Sequence, residues 1–256
     1  MRAAFLGTPA AAIPSLAALI DVADIAVVIT RPDRAKGRSG KLSPPAVKVA
    51  ALEWGLPVEQ PATREQLEQV LEGADADIGV VVAYGRILTR AALETTAAGF
   101  VNVHFSLLPR WRGAAPVERA ILAGDETTGV SLMQLDEGLD TGPVIAVVET
   151  PIAPDETGGS LSGRLSYLGA MLIDDVVPDL LTQVEDRNVS LQKSAVRALR
   201  HIAEKHGSVE VARYVAPLPT ERRRRVVARM GQQDPEWAQE LLRALGEVPP
   251  ERFGGP

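Results

Sequence analysis

The sequence holds no cysteine and only three histidines among its 256 residues. Disulfides, zinc–thiolate sites and thiol nucleophiles are excluded on that count, and most metal-site architectures lose their ligands. Any catalysis has to use oxygen, amide and imidazole groups, with no metal expected. Long apolar runs are also lacking, since none approaches the roughly 20 residues that a membrane-spanning helix needs. The opening segment has one basic residue, and its apolar stretch is broken by Gly7, Thr8 and Pro9 with Pro14 following. That pattern argues against a secretory signal and for a cytoplasmic protein. Three familiar signatures are missing as well. No G-x-G-x-x-G follows the first apolar run, no G-x-x-x-x-G-K-[ST] occurs, and no G-x-S-x-G nucleophile elbow is present. A nicotinamide enzyme, a P-loop NTPase and a serine hydrolase are therefore disfavoured.

What the chain does have is the balance of an ordinary globular protein, 46% hydrophobic and 23% charged, long enough for one large domain or for a domain plus an appendage. Its net charge of −6 is unevenly spread: residues 185–256 hold 13 Lys and Arg against 10 Asp and Glu, leaving 14 against 23 for residues 1–184. The front is acidic and the tail mildly basic.

Short continuous apolar runs at 3–6, 25–30 and 78–83, with a helical pattern at 13–20 between the first two, predict buried parallel strands joined by crossover helices. Residues 100–103 and 130–135 extend that sheet, and 142–148 is placed to return antiparallel. The expected fold is α/β: a Rossmann-like, doubly wound, mostly parallel sheet with a small helical C-terminal region. An amphipathic helix over 161–177 is expected to stop at Pro178, with the domain boundary after Val184. Residues 1–184 then form the catalytic domain and 185–256 the helical region. In that tail Leu191, Ala195, Leu199, Ile202 and Ala203 make an apolar stripe before Gly207, and Asp234-Pro235 opens a helix that ends at Gly246.

The chemistry-bearing residues gather at one strand end. Asn102 and His104 are two apart in an apolar run, so they face the same side of a strand, and His104 is the only histidine of the α/β part. At the C-terminal end of a parallel strand, where ligands collect, an amide and an imidazole would point together into the crevice. A second polar segment, Asp136-Glu137-Gly138-Leu139-Asp140-Thr141-Gly142-Pro143, follows the next strand. Its glycines permit sharp turns with exposed backbone groups, suited to gripping a flat heterocycle.

Asn102-Val103-His104, the segment from Ser106 to Pro116 and that from Leu135 to Pro143 resemble the formyltransferase family. So do Phe5 to Pro9, Arg31-Pro32-Asp33-Arg34 with Gly37-Arg38, and Val82 to Gly85, in order and spacing, up to about residue 184. The resemblance implies that Asn102, His104 and Asp140 are catalytic and that 10-formyltetrahydrofolate is the formyl donor. It also implies that the folate lies against Ala83, Tyr84, Gly85, Arg86 and Ile87 and against Asp136, Glu137, Gly138 and Leu139, with Ser106 and Pro109 shaping the loop beside it. Arg110 and Arg112 either contact an acidic substrate or cap a helix. The match is nearest to the branch of the family that formylates methionyl-tRNA, in which a loop like that from Arg31 to Lys41 enters the acceptor stem. Arg34, Lys36, Arg38 and Lys41 are the expected contacts to charged initiator tRNA, and a monomer is expected.

The tail departs from that branch, which follows its catalytic domain with a β-barrel. Arg222 to Arg225 offer either a substitute phosphate-binding face or a solvated helix face backed by Val226, Val227 and Met230. Two alternatives stay open beside the tRNA reading: the same transfer to a small amine such as an amino sugar nucleotide, and a non-catalytic folate- or RNA-binding module.

Overall fold

The structure is a computed structural model. It describes residues 1–35, 42–206, 227 and 235–246, with the backbone alone over 183–206, over 235–238 and at 244. The elements in order are β1 (Arg2–Gly7), a 3-10 turn (Ala10–Ala12), α1 (Ile13–Val22), β2 (Asp24–Ile29), β3 (Arg34–Ala35) and β4 (Leu42–Ser43). They continue with α2 (Ala46–Glu53), β5 (Val58–Glu59), α3 (Arg64–Ala74), β6 (Ile78–Val82), α4 (Arg90–Leu93), β7 (Phe100–His104) and α5 (Pro116–Leu122). Then come β8 (Thr127–Gln134), β9 (Val144–Pro151), α6 (Gly158–His206) and α7 (Pro235–Ala244).

Seven strands form one sheet in the order β5-β2-β1-β6-β7-β8-β9. The pairs from β5 through β7 are parallel, and β8 and β9 run antiparallel. The apolar runs are continuous because both faces of the central strands are covered. Phe5 and Val80 pack on one side with Leu16 and Leu19 of α1 and Leu161 and Leu165 of α6. Their neighbours Leu6 and Val81 pack on the other with Leu67 and Leu71 of α3. Gly79 is required by close approach, since a Cβ there would sit 2.0 Å from the Phe100 ring. Helix α3 starts on a full capping box, Thr63 with Gln66.

From β1 the chain winds outward through β2 and β5, then returns to β6 on β1's other side. The direction of winding therefore reverses between β1 and β6, and a crevice opens beyond their C-terminal ends. Thr8, Ala83 to Gly85 and His104 all lie at that end of their strands.

One expectation needs correction. Pro178 does not end its helix: α6 runs through it to His206. Proline removes one N–H from the ladder and in a helix interior costs about 3 kcal/mol. The buried side chains of Ile173, Val177 and Leu181 hold the stretch in place around it. The stretch 46–74, for which no element is named from the sequence pattern, carries α2, β5 and α3. The chain divides into two compact units, Met1–Val184 and Glu185–Pro256. In the second, the backbone is helical to His206 and again over Pro235–Ala244, which closes at Gly246 with φ +71°. Gly207, Asp234, Arg222 to Arg225, Val226 and Met230 lie outside the described residues.

Candidate active site

β7 delivers two side chains to the crevice. Asn102 and His104 are 9% and 6% exposed and line the same cavity, of about 440 Å³. Asp140 reaches them from the β8–β9 connection. This loop must reverse tightly, and Asp140 does so with φ +51°, in the left-handed region that Asp tolerates better than most side chains. Within the loop, Asp136 Oδ1 accepts from the Gly138 N–H at 3.0 Å and from the Thr141 hydroxyl at 2.8 Å. Gly142 packs so close to the carbonyl of Gln134 that a Cβ would sit 2.0 Å from it.

The three groups meet as follows. Asn102 Nδ2 donates toward Asp140 Oδ1 at 3.4 Å, and His104 Nδ1 lies 3.5 Å from Asp140 Oδ2. That same oxygen accepts the Gly113 N–H at 2.7 Å, so the loop after β7 holds the carboxylate directly. His104 Nε2 is 3.0 Å from the carbonyl of Trp111. A carbonyl only accepts, so Nε2 carries a proton and the imidazole is fixed at both ring nitrogens. The separations to Asp140 are long for hydrogen bonds, as is common for catalytic contacts before substrate binds.

The segment 105–115 is supported from β8. Ser131 Oγ donates to the Ser106 carbonyl at 2.8 Å and accepts from the Leu108 N–H at 3.1 Å, while Ser106 Oγ donates to the Arg110 carbonyl at 2.6 Å. The guanidinium of Arg110 pairs with Asp125 at 2.5 Å and lies 4.4 Å over the Trp111 ring. Trp111 Nε1 donates to Asp125 as well, at 2.6 Å. Hydrogen bonds from Arg110, then from Trp111, hold the Asp125 carboxyl below its usual range. Arg112 contributes its carbonyl, which accepts from Arg119 at 2.7 Å.

Of the residues expected to hold the folate, Ala83, Tyr84, Gly85, Arg86, Ile87, Asp136, Gly138 and Leu139 line the cavity. Ser106, Pro109 and Glu137 do not: Ser106 is fully buried beneath the loop, and Glu137 points toward Arg90, 3.8 Å away. The segment 83–85 leaves β6 with φ +48° at Ala83 and +78° at Gly85. Burial leaves the Tyr84 side chain in the core while its backbone forms wall. Ile87 and Leu139 stay 62% and 57% exposed, an apolar rim suited to a flat ring. Arg34 lies on the β3–β4 hairpin, which brackets the basic loop; Lys36, Arg38 and Lys41 lie outside the described residues. Trp111 and Gly113 support the site from within the Ser106 to Pro116 segment without having been singled out, and Asp125 and Ser131 lie outside every motif. Only Ser131 leaves a signal, as a lone hydroxyl in an apolar strand.

Fold and site together define a Rossmann-like α/β protein with an amide, an imidazole and a carboxylate converging at its switch-point crevice. The chain belongs to the formyl transferase family, whose pattern matches residues 1–177. It is 54% identical over 183 residues to the methionyl-tRNA formyltransferase of Halorhodospira halophila, covering 70% of this chain and 59% of that protein. With the protein of the same name from Sorangium cellulosum it shares 51% over 175 residues, covering 68% and 56%. The chain thus spans under three fifths of the length of these relatives. Among solved structures, glycinamide ribonucleotide transformylase 1 of Geobacillus kaustophilus superposes with a TM-score of 0.58 at 26% identity, over 70% of this chain and 98% of that one. Phosphoribosylglycinamide formyltransferase of Bacillus halodurans gives 0.59 at 24%, over 71% and 95%, which is a likeness of fold.

Proposed function

We propose that residues 1–184 are a catalytic domain that transfers the formyl group of 10-formyltetrahydrofolate to the amino group of methionyl-tRNA, with Asn102, His104 and Asp140 as the catalytic residues. The observation that carries this reading is the convergence of those three side chains on one wall of a cavity rimmed by Ile87 and Leu139. The relatives at 51 to 54% identity, both named for methionyl-tRNA, supply the acceptor.

The amine nitrogen attacks the formyl carbon and its carbonyl oxygen becomes an oxyanion. Asn102 Nδ2 is a neutral donor already held at the site, and preorganised donors of this kind stabilise charge as it develops. Collapse of the tetrahedral adduct breaks the bond to the folate nitrogen, which needs a proton, while the new amide nitrogen has one to lose. His104 and Asp140 carry that proton. Since Nε2 is engaged by the Trp111 carbonyl, the exchange runs on the Nδ1 and Asp140 side of the ring. The folate and the charged initiator tRNA are the partners, and the chain works as a monomer.

The test supplies the purified chain with 10-formyltetrahydrofolate and either charged initiator tRNA or a panel of amino sugar nucleotides. Formyl-methionyl-tRNA is the expected product. Formylation of an amino sugar alone would transfer the reading to a small amine, and no product with any acceptor would leave a binding module.

A further inference from the structure

The carbonyl that meets His104 Nε2 belongs to a residue held in a costly conformation. Trp111 has φ +59°, in the left-handed region where a bulky aromatic side chain is seldom found. Gly113 and Ala115 follow with φ +83° and +55°, so the chain between β7 and α5 turns sharply on alternate residues. That path brings two backbone groups to the catalytic pair. The Trp111 carbonyl accepts from His104 Nε2 at 3.0 Å, and the Gly113 N–H donates to Asp140 Oδ2 at 2.7 Å. Strain of this kind persists only where the surroundings over-determine it.

The surroundings here converge on one side chain. The indole N–H of Trp111 donates to Asp125 Oδ2 at 2.6 Å, and the guanidinium of Arg110 donates to both oxygens of that carboxylate, at 2.9 and 2.5 Å. Arg110 and Arg119 lie 4.4 and 4.8 Å from the centroid of the Trp111 ring, within range of cation–π attraction. The neighbouring carbonyls are tied as well: that of Arg110 accepts from the Ser106 hydroxyl, and that of Arg112 from Arg119. Asp125 stands after Gly124 in the turn between α5 and β8, with its side chain 11% exposed. It makes no hydrogen bond to the catalytic side chains, and its hold on them runs through Trp111.

We propose that Asp125 is a positioning residue of the catalytic pair: by fixing the Trp111 indole it aims the Trp111 carbonyl at His104, keeps the ring proton on Nε2 and leaves Nδ1 for the exchange on the Asp140 side. The inference rests on the formyl-transfer reading above, in which that exchange moves the proton of the amine. A neutral imidazole freed of the carbonyl takes either tautomer, and with Nδ1 protonated it has no lone pair on that side to receive a proton. The strained backbone at Trp111 is what a carbonyl turned back toward its own strand requires, and the buried carboxylate is what holds it there.

The test reads His104 directly, by nitrogen NMR of labelled histidines in the full chain at a pH where the ring is neutral, with the spectrum of His104→Asn identifying its signals. The wild type should carry the proton on Nε2 about fivefold over Nδ1, the worth of one net hydrogen bond. Asp125→Ala and Trp111→Phe each remove one end of the indole hydrogen bond. Both should let the tautomers mix and lower kcat for formyl transfer by about tenfold, through the lost tautomer and a looser ring, with folate affinity little changed. Asp125→Asn keeps an oxygen acceptor for the indole and should restore most of both. Trp111→Phe, which keeps an aromatic ring beside the two arginines, carries the test if Asp125→Ala does not fold. An unchanged tautomer in the folded variants would overturn the proposal, as would a loss of kcat that Asp125→Asn shares in full. A wild type that transfers no formyl group, with the tautomer still answering to Asp125, would sink the transfer reading and leave the anchor standing.

Discussion

The catalytic cavity and a second one of about 460 Å³, lined by Arg31, Pro32 and Arg34 after β2, share the 83–85 segment as a wall and differ in how their charges are handled. In the catalytic cavity the polar groups hold one another: Asp140 faces His104 and accepts from Gly113, and His104 Nε2 meets the Trp111 carbonyl. In the second cavity Asp33 is turned to Lys48 and Gln60, and among the described residues Arg31 has no carboxylate partner. Internal pairing fixes positions to within the tolerance that proton transfer requires.

Removing the catalytic pairing should give the largest effect. His104→Ala and Asp140→Asn should each lower kcat by about 10² to 10⁴-fold, the usual contribution of a positioned acid or base, with folate affinity little changed. Asparagine tolerates the left-handed backbone at position 140, so the second variant tests the charge rather than the turn. Near-normal turnover in either would erase the contrast between the cavities. A smaller effect is expected from Gly142→Ala, whose methyl would be driven into the Gln134 carbonyl at the base of the Asp140 loop. A loss of about 1–3 kcal/mol in stability, read by denaturant unfolding, matches other overpacked sites. An unchanged midpoint would show that the loop relaxes freely.

The smallest effect concerns acid and the second cavity. Hydrogen bonds from Lys48, then from Gln60, hold the Asp33 carboxyl below its ordinary 3.8. The unfolded chain therefore takes up this proton first as pH falls. The clamp's contribution is full above about 3.8 and is lost as pH drops through the lower folded value. Asp33→Asn should flatten the stability profile in that acid window, and a profile identical to that of the wild type would show that the clamp adds nothing.

Legibility in the sequence divides along the same line. The catalytic strand could be read because period-2 geometry needs only Asn102 and His104, and the parallel core could be read because β1, β2 and β6 are unbroken apolar runs. Asp140 came only through the family resemblance. It lies 38 residues from Asn102 in the chain, and although the β8–β9 return and its polar loop are legible, nothing local says which of the loop's acids, Asp136, Glu137 or Asp140, meets His104. Pro178 misled because its cost is local, whereas Ile173, Val177 and Leu181 offset it in tertiary packing. The basic loop was visible as a charge run, and the contacts expected from it were Arg34, Lys36, Arg38 and Lys41. That Arg31 has no carboxylate partner among the described residues was not visible, because it depends on where Asp33 turns, and no spacing records that choice.

The strip from Ala83 to Gly85, one peptide thick and held in left-handed backbone at both ends, makes the occupants of its two sides each other's business. A molecule on one side that nudges the strip alters the room on the other. Thermodynamic reciprocity then demands that the second molecule change the affinity of the first by the same factor. The order in which two such molecules arrive would thus be written in a displacement of three residues.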